Sequence, residues 1–122
     1  MISSLMLRIS VLILITGMLA GIAMGMTQSF TLAPAHAHLN LIGGVLLFLF
    51  GLYYRLVPAA AATRLARVQC GLHIVGALLF PIGIVIVLTA GPSQEIYPIA
   101  GSLIVLAAMV LFAVVVWRTA KA

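Results

Sequence analysis

Two imidazoles stand two residues apart in Pro34-Ala35-His36-Ala37-His38-Leu39-Asn40, at the mouth of a long apolar segment. Imidazole is the commonest transition-metal ligand, and it is costly to place in lipid without a partner. On a helix, a spacing of two residues is a rotation of about 200°, so the rings point to opposite sides. The pair does not suit one metal held in cis, for which an i, i+4 spacing is needed. It suits two different sites, one on each side of the helix. A third histidine, His73, falls in a later apolar segment, three residues after the single cysteine, Cys70. A lone cysteine makes no intramolecular disulfide, and Cys70 reads as a small packing residue.

The elements that position these groups follow from composition. Of 122 residues, 66% are hydrophobic, with six basic side chains and one acidic. A soluble domain of this size needs far more polar surface. The predicted class is all-α, a polytopic membrane protein whose residues 1–122 form one four-transmembrane-helix bundle. Four runs are long enough to span: Leu5 to Met26, His36 to Leu56, Val68 to Leu88 and Tyr97 to Trp117. Each holds about 20 residues, which at about 1.5 Å per residue crosses a hydrocarbon core of about 30 Å. The connections, Thr27 to Ala35, Val57 to Arg67 and Thr89 to Ile96, are short, so neighbouring helices are expected to be antiparallel.

Charge gives the orientation. Arg8, Arg55, Arg64, Arg67, Arg118 and Lys121 fall on one face, while the other two connections hold no basic residue and carry Glu95. The positive-inside rule then places both termini in the cytoplasm, with the chain crossing a bacterial-type inner membrane. Tyr53, Tyr54 and Trp117 mark the inner edge and Tyr97 the outer one, as an aromatic belt would. The net charge of +5 reads as this topology signal plus contact with lipid headgroups, and a nucleic-acid surface is excluded for want of a basic patch outside the membrane. Ala35-His36-Ala37 has the small-x-small form of a signal cleavage site, but the apolar run before it is too long for a signal peptide.

Gly17, Gly21 and Gly25 form two overlapping small-xxx-small motifs, which suit close helix approach within the bundle or between subunits. Gly44 and Gly51 make a second smooth strip, open to a flat ligand or a neighbouring helix. Thr31 to Pro34 supply a turn and a proline suited to a first helical turn. Pro81 is expected to kink the third span, and Gly91-Pro92-Ser93 reads as a turn. Residue counting puts His73 roughly 15–20 Å along the membrane normal from His36 and His38. Its expected role is a hydrogen bond to a neighbouring helix.

His36-Ala37-His38-Leu39-Asn40-Leu41-Ile42-Gly43, followed by Phe50-Gly51-Leu52-Tyr53-Tyr54-Arg55-Leu56-Val57-Pro58, resembles the tenth helix of the central subunit of heme-copper oxidases. The likeness is greatest to the C-type oxidases and nitric oxide reductase-like members, whose pattern is H-x-H-x-x-x-L-G and then F-G-x-x-Y-x-L-V-P. Thr63-Arg64-Leu65-Ala66-Arg67, leading to Leu72-His73-Ile74-Val75-Gly76, is similar to the following connection and helix, so the resemblance covers Ala35 to about Pro81. In that family the two histidines of H-x-H are axial ligands of two hemes on opposite sides of one helix. The resemblance therefore implies iron ligation by His36 at an active-site heme and by His38 at a low-spin heme. It also implies oxidoreductase chemistry of the cytochrome c oxidase kind.

The family's subunit has about twelve helices in three similar arcs, and this chain is one arc long. It carries no equivalent of the copper-binding histidines or of the tyrosine used in oxygen reduction. A complete oxygen-reducing site in one chain is therefore not expected, and copper is less expected than heme. Three copies of the chain would rebuild the ring of ligand-bearing helices as a homotrimer. The leading reading is a b-type heme protein, since no C-x-x-C-H attaches heme covalently. It would serve electron transfer or diatomic-gas chemistry, with a redox partner or quinol. A small transporter is disfavoured, because proton coupling needs an intramembrane carboxylate and Glu95 lies in a connection. The remaining alternative is a cofactor-free accessory subunit, or an assembly factor that passes heme or copper to a partner.

Overall fold

Apolar side chains surround the long helices on every side, as lipid rather than water requires: Leu12, Ile22, Leu103 and Val110 all stay exposed. The computed structural model describes residues 1–120, and Lys121, counted above with the basic face, lies outside the described residues. Four helices are long and apolar enough to cross a membrane. The first is α1 (Ile2–Thr27). The second span is composite, with α2 (Ala33–His38), a π-helical segment (Leu39–Leu46) and α3 (Leu47–Leu56) in one continuous run. A short α4 (Pro58–Ala61) leads into α5 (Arg64–Ala90), and a 3₁₀ turn (Pro92–Gln94) leads into α6 (Ile96–Thr119). No strand occurs among the described residues.

The helices overrun the apolar runs by up to four residues at their ends, because hydropathy marks the lipid core while capping chemistry marks the helix. Thr63 stands before α5, and its Oγ1 accepts from the Ala66 amide at 3.1 Å. Gly91, at φ 102°, closes the same helix in a conformation that suits glycine. Pro34 lies in the first turn of α2, where its missing N–H costs nothing. The helix α5 runs unbroken through Pro81, as membrane helices tolerate, so the proline does not divide the span.

The chain packs as two antiparallel hairpins, α1 against the second span and α5 against α6. Glycines set both contacts, because dispersion between close backbones replaces the hydrophobic drive that lipid removes. Gly21 faces the His36 ring and Gly51 faces Leu7, so both smooth strips read from the sequence are used inside the chain. Gly17 likewise packs on Asn40 and Gly44 on Leu14, whereas Gly25 meets nothing within 4 Å. Gly17, Gly21, Gly44 and Gly51 are therefore taken up by packing within the chain, while Gly25 stays open. The hairpins meet around an aromatic core, where Phe50 and Phe112 approach with ring centroids 4.2 Å apart. Tyr53 O–H donates to Thr119 Oγ1 at 2.9 Å, and that hydroxyl donates in turn to the Val115 carbonyl.

Candidate functional site

The two histidines of α2 face different helices of their own chain. His36 lies against Gly21 of α1, where an added Cβ would come within 3.0 Å of Cε1. His38 meets the Phe80 ring of α5 edge-on, with centroids 4.8 Å apart. The opposite orientation expected from a two-residue spacing is thus observed, with α1 and α5 as the neighbours. Among the described residues, no three His, Cys, Asp or Glu side chains converge on a point where they would hold a metal.

Their hydrogen bonds differ in consequence. His38 Nδ1–H donates to the Pro34 carbonyl at 2.7 Å, one turn back on the same helix. A neutral ring that donates from Nδ1 keeps its lone pair on Nε2, the arrangement by which proteins orient a ligating histidine. His36 Nε2 is instead engaged by the Asn40 amide at 3.3 Å, and its Nδ1 is buried without a protein partner. Reversing that amide would exchange which ring nitrogen carries the proton, but one nitrogen stays unpartnered either way.

Below these residues lies the feature that no sequence pattern announced. A π-helix, rare and concentrated at functional sites, occupies Leu39–Leu46. Its wider turn changes the partners of its carbonyls, and the Ile42 oxygen accepts from His73 Nε2–H at 3.0 Å. His73 is fully buried, with the Phe50 ring edge-on at 4.7 Å. The hydrogen bond to a neighbouring helix expected for His73 is observed. The ring sits between the levels of Ile42 and Phe50, four and twelve residues past His38, and so lies well down the span from the histidine pair.

Removing that ring deletes the bond from α5 to the Ile42 carbonyl and leaves a space where a fully buried side chain stood. His73→Ala is expected to cost about 2 kcal/mol, from the lost buried hydrogen bond and the cavity together. Thermal unfolding in detergent measures it, with His73→Asn, which keeps a donor, recovering part of the loss. A His73→Ala protein as stable as the parent would mean that the bond holds nothing.

A cavity of about 480 Å³ opens between α1, α2 and α5, at the end that carries the first connection. Ala20, Ala35, Leu39 and Pro81 line it together with His36. Small residues on α1 and α2 leave this space, and no spacing signal in the sequence announced it.

No protein-family model, curated protein or solved structure matches this chain.

The fit of a heme to this site therefore turns on the donors themselves. An axial ligand needs a ring nitrogen with a free lone pair and a neighbour that fixes the ring. His38 meets both conditions through its Pro34 bond and its contact with Phe80. His36 borders an apolar cavity large enough for a small-molecule ligand, but Asn40 holds its Nε2. Ligation by His36 would require that amide to swing away. His38 offers an iron an oriented axial donor, and among the described residues no set of three ligands converges that would hold copper.

Proposed function

We propose that this chain is a b-type heme-binding membrane protein, similar to one arc of a heme-copper oxidase central subunit and working as a homotrimer. The observation that carries the reading is the 2.7 Å bond from His38 Nδ1–H to the Pro34 carbonyl, which leaves Nε2 as an oriented donor. Heme held there would supply one-electron transfer or, with an open axial position, binding of a diatomic gas. The chain's own part is to orient and shield. Pro34 sets the tautomer of His38, Phe80 covers one edge of the ring, and the π segment fixes the face that α2 presents. His36 of a neighbouring copy would supply a second ligand once Asn40 released it, and a redox partner or quinol would supply electrons.

A cofactor-free accessory or assembly role is the second reading. It is favoured by the packing of His36 on Gly21 and His38 on Phe80 within one chain. Visible spectra of the reduced and oxidised protein, with native mass on the same sample, separate the two. A Soret band with a trimeric mass is expected. A dimer with one heme would remove the trimer and keep the heme, and a heme-free monomer would remove both.

In the proposed orientation both termini face the cytoplasm of a bacterial-type inner membrane. The support is that all five arginines lie at the end of the bundle shared by both terminal helices' outer turns, opposite Glu95. A thiol introduced by Ser93→Cys should react with an impermeant reagent from outside intact cells. One introduced by Ala120→Cys should react only after lysis, and the reverse pattern would invert the topology.

A further inference from the structure

The arginines at the basic end have no carboxylate side chain to pair with, because the only acid, Glu95, follows the 3₁₀ turn at the other end. Two of them border a single cavity. Arg55, in the last turn of α3, and Arg67, in the first turn of α5, flank about 730 Å³ of space together with Ser3, Tyr54 and Pro58. Arg55 Nη1 meets Ser4 Oγ at 3.5 Å, and neither guanidinium makes another side-chain bond among the described residues. The Tyr54 hydroxyl is turned inward, donating to Gln69 Oε1 at 3.0 Å. The charge at the cavity is thus two unopposed forks of N–H donors, with the Met1 α-ammonium also on its lining.

The depth of this cavity defines its ligand. Tyr53, Tyr54 and Trp117 gather at the same end, and Trp117 is 88% exposed, as an interfacial anchor is. An anion that reaches two guanidiniums at headgroup level, beside apolar walls of Pro58 and Ala61, is a phosphate with hydrocarbon attached. Guanidinium matches phosphate through paired N–H···O bonds, and basic pockets between transmembrane helices on the cytoplasmic side hold anionic headgroups. We propose that Arg55 and Arg67 together bind the phosphate of one anionic phospholipid in this cavity. The site is independent of the heme reading and differs from general attraction to a charged leaflet, which every arginine at this end shares.

That distinction supplies the test. The protein is placed in nanodiscs of phosphatidylcholine containing phosphatidylglycerol, and the lipid retained on release is counted by native mass spectrometry. One phosphatidylglycerol per chain is expected, and R55Q/R67Q should weaken its retention by about 30-fold. R64Q/R118Q removes the same charge from the same end and should retain the lipid within about threefold. All four arginines are exposed, so helical content should not change, and circular dichroism checks it. Millimolar inorganic phosphate should not displace the lipid, and displacement would reassign the source to a free phosphate at the same two arginines. Equal losses in both double variants, or no retained phosphatidylglycerol in the parent, would overturn the site.

Discussion

Replacing His38 by alanine is expected to abolish the low-spin heme spectrum while all four helices remain inserted. Nε2 of His38 is oriented by the Pro34 bond and is not buried, whereas the unpartnered Nδ1 atoms of His36 and His73 are enclosed by the bundle. Loss of an axial ligand changes the spin state and coordination of the iron, so the visible bands collapse rather than shift slightly. Insertion depends on the length and hydropathy of the spans, which one substitution near the end of the second span leaves intact. Stability should change little, because His38 is only partly buried and its main-chain bond lies within one helix. His73→Ala supplies the contrast, with lower stability and no change in the bands. A His38→Ala protein with unaltered Soret and α bands would leave this imidazole a packing residue against Phe80 and favour the accessory reading.

The spans were legible because lipid imposes a simple rule, that about 20 apolar residues in helical conformation satisfy every backbone group internally. The ends were less so: Arg64 to Arg67 are too polar to count as membrane, yet Thr63 caps a helix that includes them. The π segment was illegible for a different reason. Its register differs from an α-helix by one residue per turn, and the group that engages Ile42 is a histidine 31 residues further along. Local propensity cannot register a donor that arrives from another helix.

The site divided in the same way. A two-residue spacing fixes that His36 and His38 diverge, because that follows from helix geometry alone. Which helix each ring meets depends on how the hairpins dock, and so does the partner of a glycine strip. Gly17 and Gly21 announced a close approach, but only the fold reveals that Asn40 and His36 are what approach them. The groups left unpartnered are equally a tertiary outcome. Gln69 Nε2 and His73 Nδ1 are buried one turn apart on α5 with no protein partner, which no reading of residue type predicts.

Adding a single methyl group at Gly101 should separate the α5–α6 hairpin and disturb the site with it. A Cβ at this position would lie 2.5 Å from the Phe80 Cα and 2.8 Å from its amide nitrogen. Those are main-chain atoms, so no side-chain rotation relieves the clash and one helix must move. Overpacking of this kind costs about 1–3 kcal/mol. The better helix propensity of alanine returns about 0.5–1 kcal/mol, so a net loss is expected. Phe80 is also the residue that meets His38, which couples the displacement to the candidate ligand. Gly101→Ala should therefore lower the thermal midpoint and broaden or shift any His38-dependent band. Gly71→Ala on the exposed face of α5, where nothing lies within 4 Å, is the matched control and should be neutral or slightly stabilising. Thermal unfolding of the two variants in the same detergent, followed at the visible bands and by circular dichroism, decides the matter. Equal midpoints would mean that α5 and α6 do not touch backbone to backbone at Gly101.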